Sequence, residues 1–186
     1  MNKLCILTLC VLMIPSGLFA QDSEKDVEQI RAWYKEVNAG MRHYKKVAYP
    51  DVQINRDQSP AHFSKEGAQL YRLASVTMTK YFKGEQLVKM IVEFEGDRED
   101  LTSAYYFRND SLFFVEKDKT VYHRPKWDDN FQETEKSVAR NHFYIRNNHL
   151  LVWVNPEVKQ VGTTDPSFHQ QEAMILNDYP LYVSTE

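Results

Sequence analysis

The pattern of apolar and polar positions along this chain changes period twice. Val27, Ile30, Tyr34, Val37, Met41 and Tyr44 recur at steps of three and four, which predicts one helix with a single apolar stripe. Ser23, followed three residues later by Asp26, has the form of a capping box and marks the expected start. Gly40 weakens the end of the stripe and Pro50 forbids continuation. Glu24, Glu28 and Glu36 sit among lysines on the polar side, which favours a helix laid on a sheet over one lying in a membrane interface. Residues 49–67 are polar and turn-rich and read as a long loop. From Gln69 onward the period drops to two, predicting strands at about 69–82, 86–95, 102–108, 111–122, 135–146 and 149–155. The stretch 135–146 has the propensity of a helix but runs straight into a hairpin tip, so it is assigned as strand. Near the end, Thr164 or Asp165 caps a second, shorter helix with Pro166 in its first turn. That helix presents Phe168, Ala173, Ile175 and Leu176 until Pro180 stops it.

Three segments can be superposed without gaps. Tyr81-Phe82-Lys83-Gly84-Glu85-Gln86-Leu87, Tyr106-Phe107-Arg108-Asn109-Asp110-Ser111-Leu112 and Tyr144-Ile145-Arg146-Asn147-Asn148-His149-Leu150 share one order: tyrosine, large apolar, cation, turn pair, polar, leucine. The steps between them are 25 and 38 residues. Gly84, Asn109-Asp110 and Asn147-Asn148 tolerate the positive φ of a two-residue hairpin turn. The repeat therefore predicts a meander of stacked hairpins.

Counting outward from such tips fixes cross-strand partners. The third hairpin is expected to pair Ile145 with Leu150, Phe143 with Val152, Tyr144 with Leu151 and His142 with Trp153. The second pairs Phe107 with Leu112, Tyr105 with Phe114, Tyr106 with Phe113 and Ala104 with Val115. The first pairs Phe82 with Leu87, Met78 with Ile91, Tyr81 with Val88 and Thr79 with Met90. Both faces come out apolar, unlike a half-exposed meander. One face is expected to receive the first helix. The other carries Tyr81, Tyr106, Tyr144 and Trp153, with His142 beside them. Aromatic rings with polar tips line binding surfaces, so these five are the candidate ligand-binding residues. The same rings also serve as cross-strand packing pairs that stabilise a sheet.

Composition adds location. Lys3, an apolar run over residues 4–14, Pro15-Ser16-Gly17 and then Leu18-Phe19-Ala20 have the layout of a signal peptide cleaved after Ala20. Residues 21–186 are then one domain of 166 residues, enough for its own core. No later stretch has the length of a membrane span. Cys5 and Cys10, the two cysteines of the chain, both fall in the apolar run. Residues 21–186 therefore offer no disulfide, thiolate ligand or cysteine nucleophile. The formal charge is −3, with both signs interspersed, and no basic patch suits nucleic acid.

No spacing singles out a reaction. His142 and His149 can share a hairpin face, but about three pair steps separate them, too far for one ion, and no metal or other cofactor is expected. His123, Asp128 and Asp129 form a possible polar cluster without a nucleophile. There is no G-x-S-x-G and no glycine-rich phosphate loop. The acidic run at residues 93–100 lacks the ligand spacing of a calcium loop.

The hairpin tips, at residues 81–87, 105–114 and 143–152, resemble two groups. One is the bacterial β-meander repeats built from an aromatic pair, a Gly or Asn turn and a leucine, as in variant MORN repeats. The other is exported bacterial proteins with a signal peptide, a helix and Tyr-Tyr-Phe hairpins. The resemblance implies an extracytoplasmic β-meander and carries over no catalytic residue. The expectation is an exported, periplasmic or secreted α+β protein: an N-terminal helix on a curved antiparallel meander of about six strands, with a short C-terminal helix. Its expected role is non-catalytic binding of an apolar small molecule or a protein partner. The alternatives are a hydrolase working near His123 or His142 in the mouth of a curled sheet, and an inhibitor or envelope-assembly factor acting through hairpin loops such as residues 97–100.

Overall fold

The computed structural model describes residues 18–50, 52 and 75–184. Most of the predicted signal segment, most of the predicted loop and residues 69–74 of the first predicted strand lie outside them. Helix α1 runs Leu18–Gly40, so Ser23 lies within it and is not its cap; no glycine or proline between residues 18 and 23 interrupts the helix. A 3-10 turn, Met41–His43, follows, and Tyr44 is extended. The predicted stripe thus runs past the helix end. A Cβ at Gly40 would sit 2.2 Å from Tyr44 Oη, so the missing side chain leaves room for the Tyr44 ring to fold back.

The strands are β1 (Lys45–Tyr49), β2 (Ser75–Lys83), β3 (Gln86–Glu95), β4 (Glu99–Arg108), β5 (Ser111–Tyr122), β6 (Lys136–Arg146), β7 (His149–Val154) and β8 (Gln160–Val161). They form one antiparallel sheet in chain order. The sheet has eight strands, not about six. The two missed strands, at opposite edges, are too short or too polar to show a period: β1 opens with two lysines and β8 has two residues. Residues 136–146 are strand, as their run into the hairpin requires. Helix α2, Pro166–Val183, is capped by Asp165, whose carboxylate accepts from Ser167 N. Pro180 does not stop it. A proline forfeits one bond, to the Leu176 carbonyl, and the turn after it survives.

The hairpin register departs from a plain count in one repeated way. Each tip pair is as expected: Phe82↔Leu87, Phe107↔Leu112 and Ile145↔Leu150. One step out, Tyr81 faces Lys89, Tyr106 faces Phe114 and Tyr144 faces Val152, because each hairpin inserts one extra residue. Those residues are Val88, Phe113 and Leu151, each directly after the repeat's leucine. A bulge adds a residue to one strand without altering composition, so counting from the turn misses it. Beyond the bulges Phe143 pairs with Trp153, His142 with Val154, Tyr105 with Val115 and Met78 with Val92.

Both faces of the sheet are covered by helix. Val27, Ile30 and Val37 of α1 are buried with Val88, Ala104, Tyr106, Phe113, Phe114 and Tyr144. Phe168, Ile175 and Tyr182 of α2 are buried on the other face with Met90, Val92, Tyr105, Leu112, Phe143 and Leu150. The repeat writes the first seat. Its tyrosines, Tyr81, Tyr106 and Tyr144, all pack in the α1 cluster. Its cations all reach carboxylates of α1: Arg146 pairs with Asp26, Arg108 with Glu36 at 2.7 Å and Lys83 with Glu36 at 3.6 Å. Trp33, outside the predicted stripe, packs edge-on against Phe113 with centroids 5.5 Å apart.

Candidate functional site

The five residues expected to share a binding face separate. Tyr106 is 1% exposed and Tyr144 6%, both beneath α1. Tyr81 is half-buried in the same cluster. Trp153 stands on the opposite face, stacked on Phe143 at 5.7 Å, with its Nε1 donating to Asn141 Oδ1 at 2.9 Å. The extra residue Leu151 is what sends it there. His142 and Tyr144 do come together, in a cleft of about 190 Å³ where α1 leans over β5 and β6.

Phe114 is the centre of the cleft. Around it stand Tyr34 at 4.9 Å, Tyr144 at 5.1 Å and the His142 ring at 5.7 Å between centroids. Arg31 and Lys35, one helical turn apart on α1, complete the lining. The Arg31 guanidinium lies 5.6 Å from the Tyr144 ring centroid, and its Nε donates to Tyr144 Oη at 3.4 Å. The bulge at Phe113 matters here: it puts Phe113 and Phe114 in succession on the α1 face, Phe113 against Trp33 and Phe114 in the cleft.

Beneath the rings lies a charged row. His142 Nε2 is 3.1 Å from Glu116 Oε2. That hydrogen bond holds the Glu116 carboxyl below its ordinary range, with the fields of Arg140 and Lys89 acting the same way. Arg140 is clamped to Asp118 through Nε at 2.7 Å and through Nη2. Lys89, pushed down by burial, donates to Asn38 Oδ1 at 3.2 Å and lies 4.7 Å from the Tyr106 ring centroid. Tyr34 is raised, first by burial and then by the Glu116 charge. The Tyr34 hydroxyl therefore stays neutral and serves as a hydrogen-bond group.

The other sequence candidates do not join the cleft. His149 is exposed at the hairpin tip and faces Glu172 of α2 at 3.5 Å. His123 is exposed, and Asp128 is engaged by Arg124 and by the amide of Asn130. Among the described residues no three His, Cys, Asp or Glu side chains gather as a metal site would need. In the acidic turn, Asp100 accepts from Tyr122 Oη at 2.7 Å and Lys126 Nζ at 2.7 Å, tying that turn to residues 122–126. Sequence reasoning missed Arg31, Lys35 and Glu116. The two cations were visible as an i,i+4 pair flanking the apolar stripe, and Glu116 as the charge that breaks the run 112–115.

Comparison with known proteins yields no match among family models, curated proteins or solved structures.

Proposed function

We propose that this is an exported, non-catalytic binding protein that holds a small, largely apolar molecule in the cleft between α1 and β5–β6. One observation carries the reading: aromatic rings from α1, β5 and β6 converge on Phe114 around an open space of about 190 Å³. Concave sites lined by aromatics with a few placed polar groups are where small molecules bind. The aromatic face expected from the sequence is mostly filled by α1, and the cleft is the part left open. Export rests on the N-terminal signal pattern, with Gln21 as the first residue of the mature chain.

The His142–Glu116 pair supports a second reading, a hydrolase in which Glu116 orients His142 as a general base. Among the described lining residues there is no serine, threonine or cysteine for that base to activate, so only water remains, and binding is the reading favoured. The test is titration of isotopically labelled protein with 2-naphthamide, a flat neutral aromatic, followed by NMR. Shifts centred on Phe114, His142 and Tyr144 are expected. Shifts confined to other surfaces, or none at millimolar probe, would remove the cleft as the site.

A further inference from the structure

The cations of the α1 face differ in their partners. Lys83, Arg108, Arg140 and Arg146 each have a carboxylate within ion-pair distance. Arg31 and Lys35 line the cleft, and among the described residues neither has a carboxylate partner. They stand four residues apart on one helix face, where two like charges repel each other. Glu116, the acid beside His142, is already engaged by that ring and sits in the fields of Arg140 and Lys89. The charge of Glu116 is thus met by groups other than Arg31 and Lys35. Arg31 is also oriented. Its Nε is turned to Tyr144 Oη and its guanidinium lies by that ring; among the described residues both terminal nitrogens of the fork remain for a planar two-oxygen acceptor.

We infer that the molecule held in the cleft is an aromatic or apolar monoanion, its body against Phe114 and Tyr144 and its carboxylate or similar oxyanion between Arg31 and Lys35. This rests on the cleft being the binding site. The anion neutralises the like-charge pair on α1, and the Arg31 fork supplies two of its hydrogen bonds. Tyr34 and Tyr144, whose rings flank the same space, position the body edge-on.

The test compares two probes that share a ring and differ in charge, 2-naphthoate and 2-naphthamide, titrated into the full exported chain by calorimetry at low salt. NMR shifts show where each binds. The expected result is naphthoate at least tenfold tighter, weakening as salt rises. The double variant Arg31→Gln/Lys35→Gln, at exposed helix positions, should bring the two affinities within about twofold while melting as the wild type does. Equal affinities with shifts at Phe114 and His142 would overturn the inference and leave the cleft standing as an apolar site. A naphthoate preference that survives the double variant would overturn the assignment to Arg31 and Lys35. Absence of binding by both probes would overturn the cleft reading and the inference together.

Discussion

Val158 holds a φ of +60° although it is β-branched and 84% exposed. Its turn leaves it no alternative. Asn155 Oδ1 accepts from the amides of Glu157 at 3.1 Å and Lys159 at 2.9 Å, and Asn155 N donates to Lys159 O. The left-handed region costs an L-residue roughly 1–2 kcal/mol that glycine escapes, less the flexibility that glycine adds to the unfolded chain. Val158→Gly should therefore raise stability by about 0.5–1 kcal/mol in urea denaturation. The reverse holds at the first hairpin, where Gly84 has a φ of +64° and nothing lies within 4 Å of the position a Cβ would take. The asparagines and aspartate at the other two tips, with φ between 50° and 60°, are the residues that tolerate this region best after glycine. That is why the three turns were legible in the sequence. Val158 was not, because its conformation is imposed by Asn155 three positions away.

α1 is held on its seat by two kinds of contact of very different worth. The ion pairs of Glu36 with Arg108 and Lys83 are surface pairs, and such pairs contribute about 0–1 kcal/mol each. Ile30 is fully buried under the same helix, and removing a buried branched side chain costs about 2–5 kcal/mol. Ile30→Ala should therefore destabilise by several times as much as Glu36→Gln, and only the effect of Glu36→Gln should vanish in molar salt. Thermal and urea denaturation of both variants would show it. The helix itself was plain from the spacing of Val27, Ile30, Tyr34 and Val37. Its destination was not, because the hairpins hide their bulges. Val88, Phe113 and Leu151 each lengthen one strand by a residue, which moves Trp153 to the far face and sets Phe114 beside Tyr144. The only trace was the apolar residue directly after each leucine, Val88, Phe113 and Leu151, which reads equally well as part of a strand buried on both sides. Pro180 misled for a related reason: a helix anchored beyond the proline by buried Tyr182 tolerates one missing bond.

At the scale of the whole molecule, a single sheet is closed on both faces by the chain's own helices, and polar groups are caught in each layer. On the α2 side, burial pushes the Asp178 carboxyl up to about 6, an effect that the charge of Lys117 on β5 partly offsets. A carboxyl raised in the folded state adds stability that is full below its unfolded value near 3.9 and is lost as pH rises through about 6. The stability of the wild type relative to Asp178→Asn should therefore fall between pH 4 and 6 and level off above, measured by denaturation at each pH; a flat difference would refute it. On the α1 side the same closure turns the tyrosine repeat into scaffold and leaves the cleft at Phe114 open. The sequence placed His142 and Tyr144 at that site but could not supply Arg31 or Lys35, because which flank of a helix meets a sheet depends on the bulges beneath it. Whether α1 covers the repeat is read most directly by nitrating the native protein with tetranitromethane and locating the products by peptide mass spectrometry. Tyr106 should stay unmodified while added N-acetyltyrosine amide is consumed, and burial raises its hydroxyl in the same protective direction. Nitration of Tyr106 in the folded protein at a rate near that of the free amide would show the aromatic face open and contradict the account.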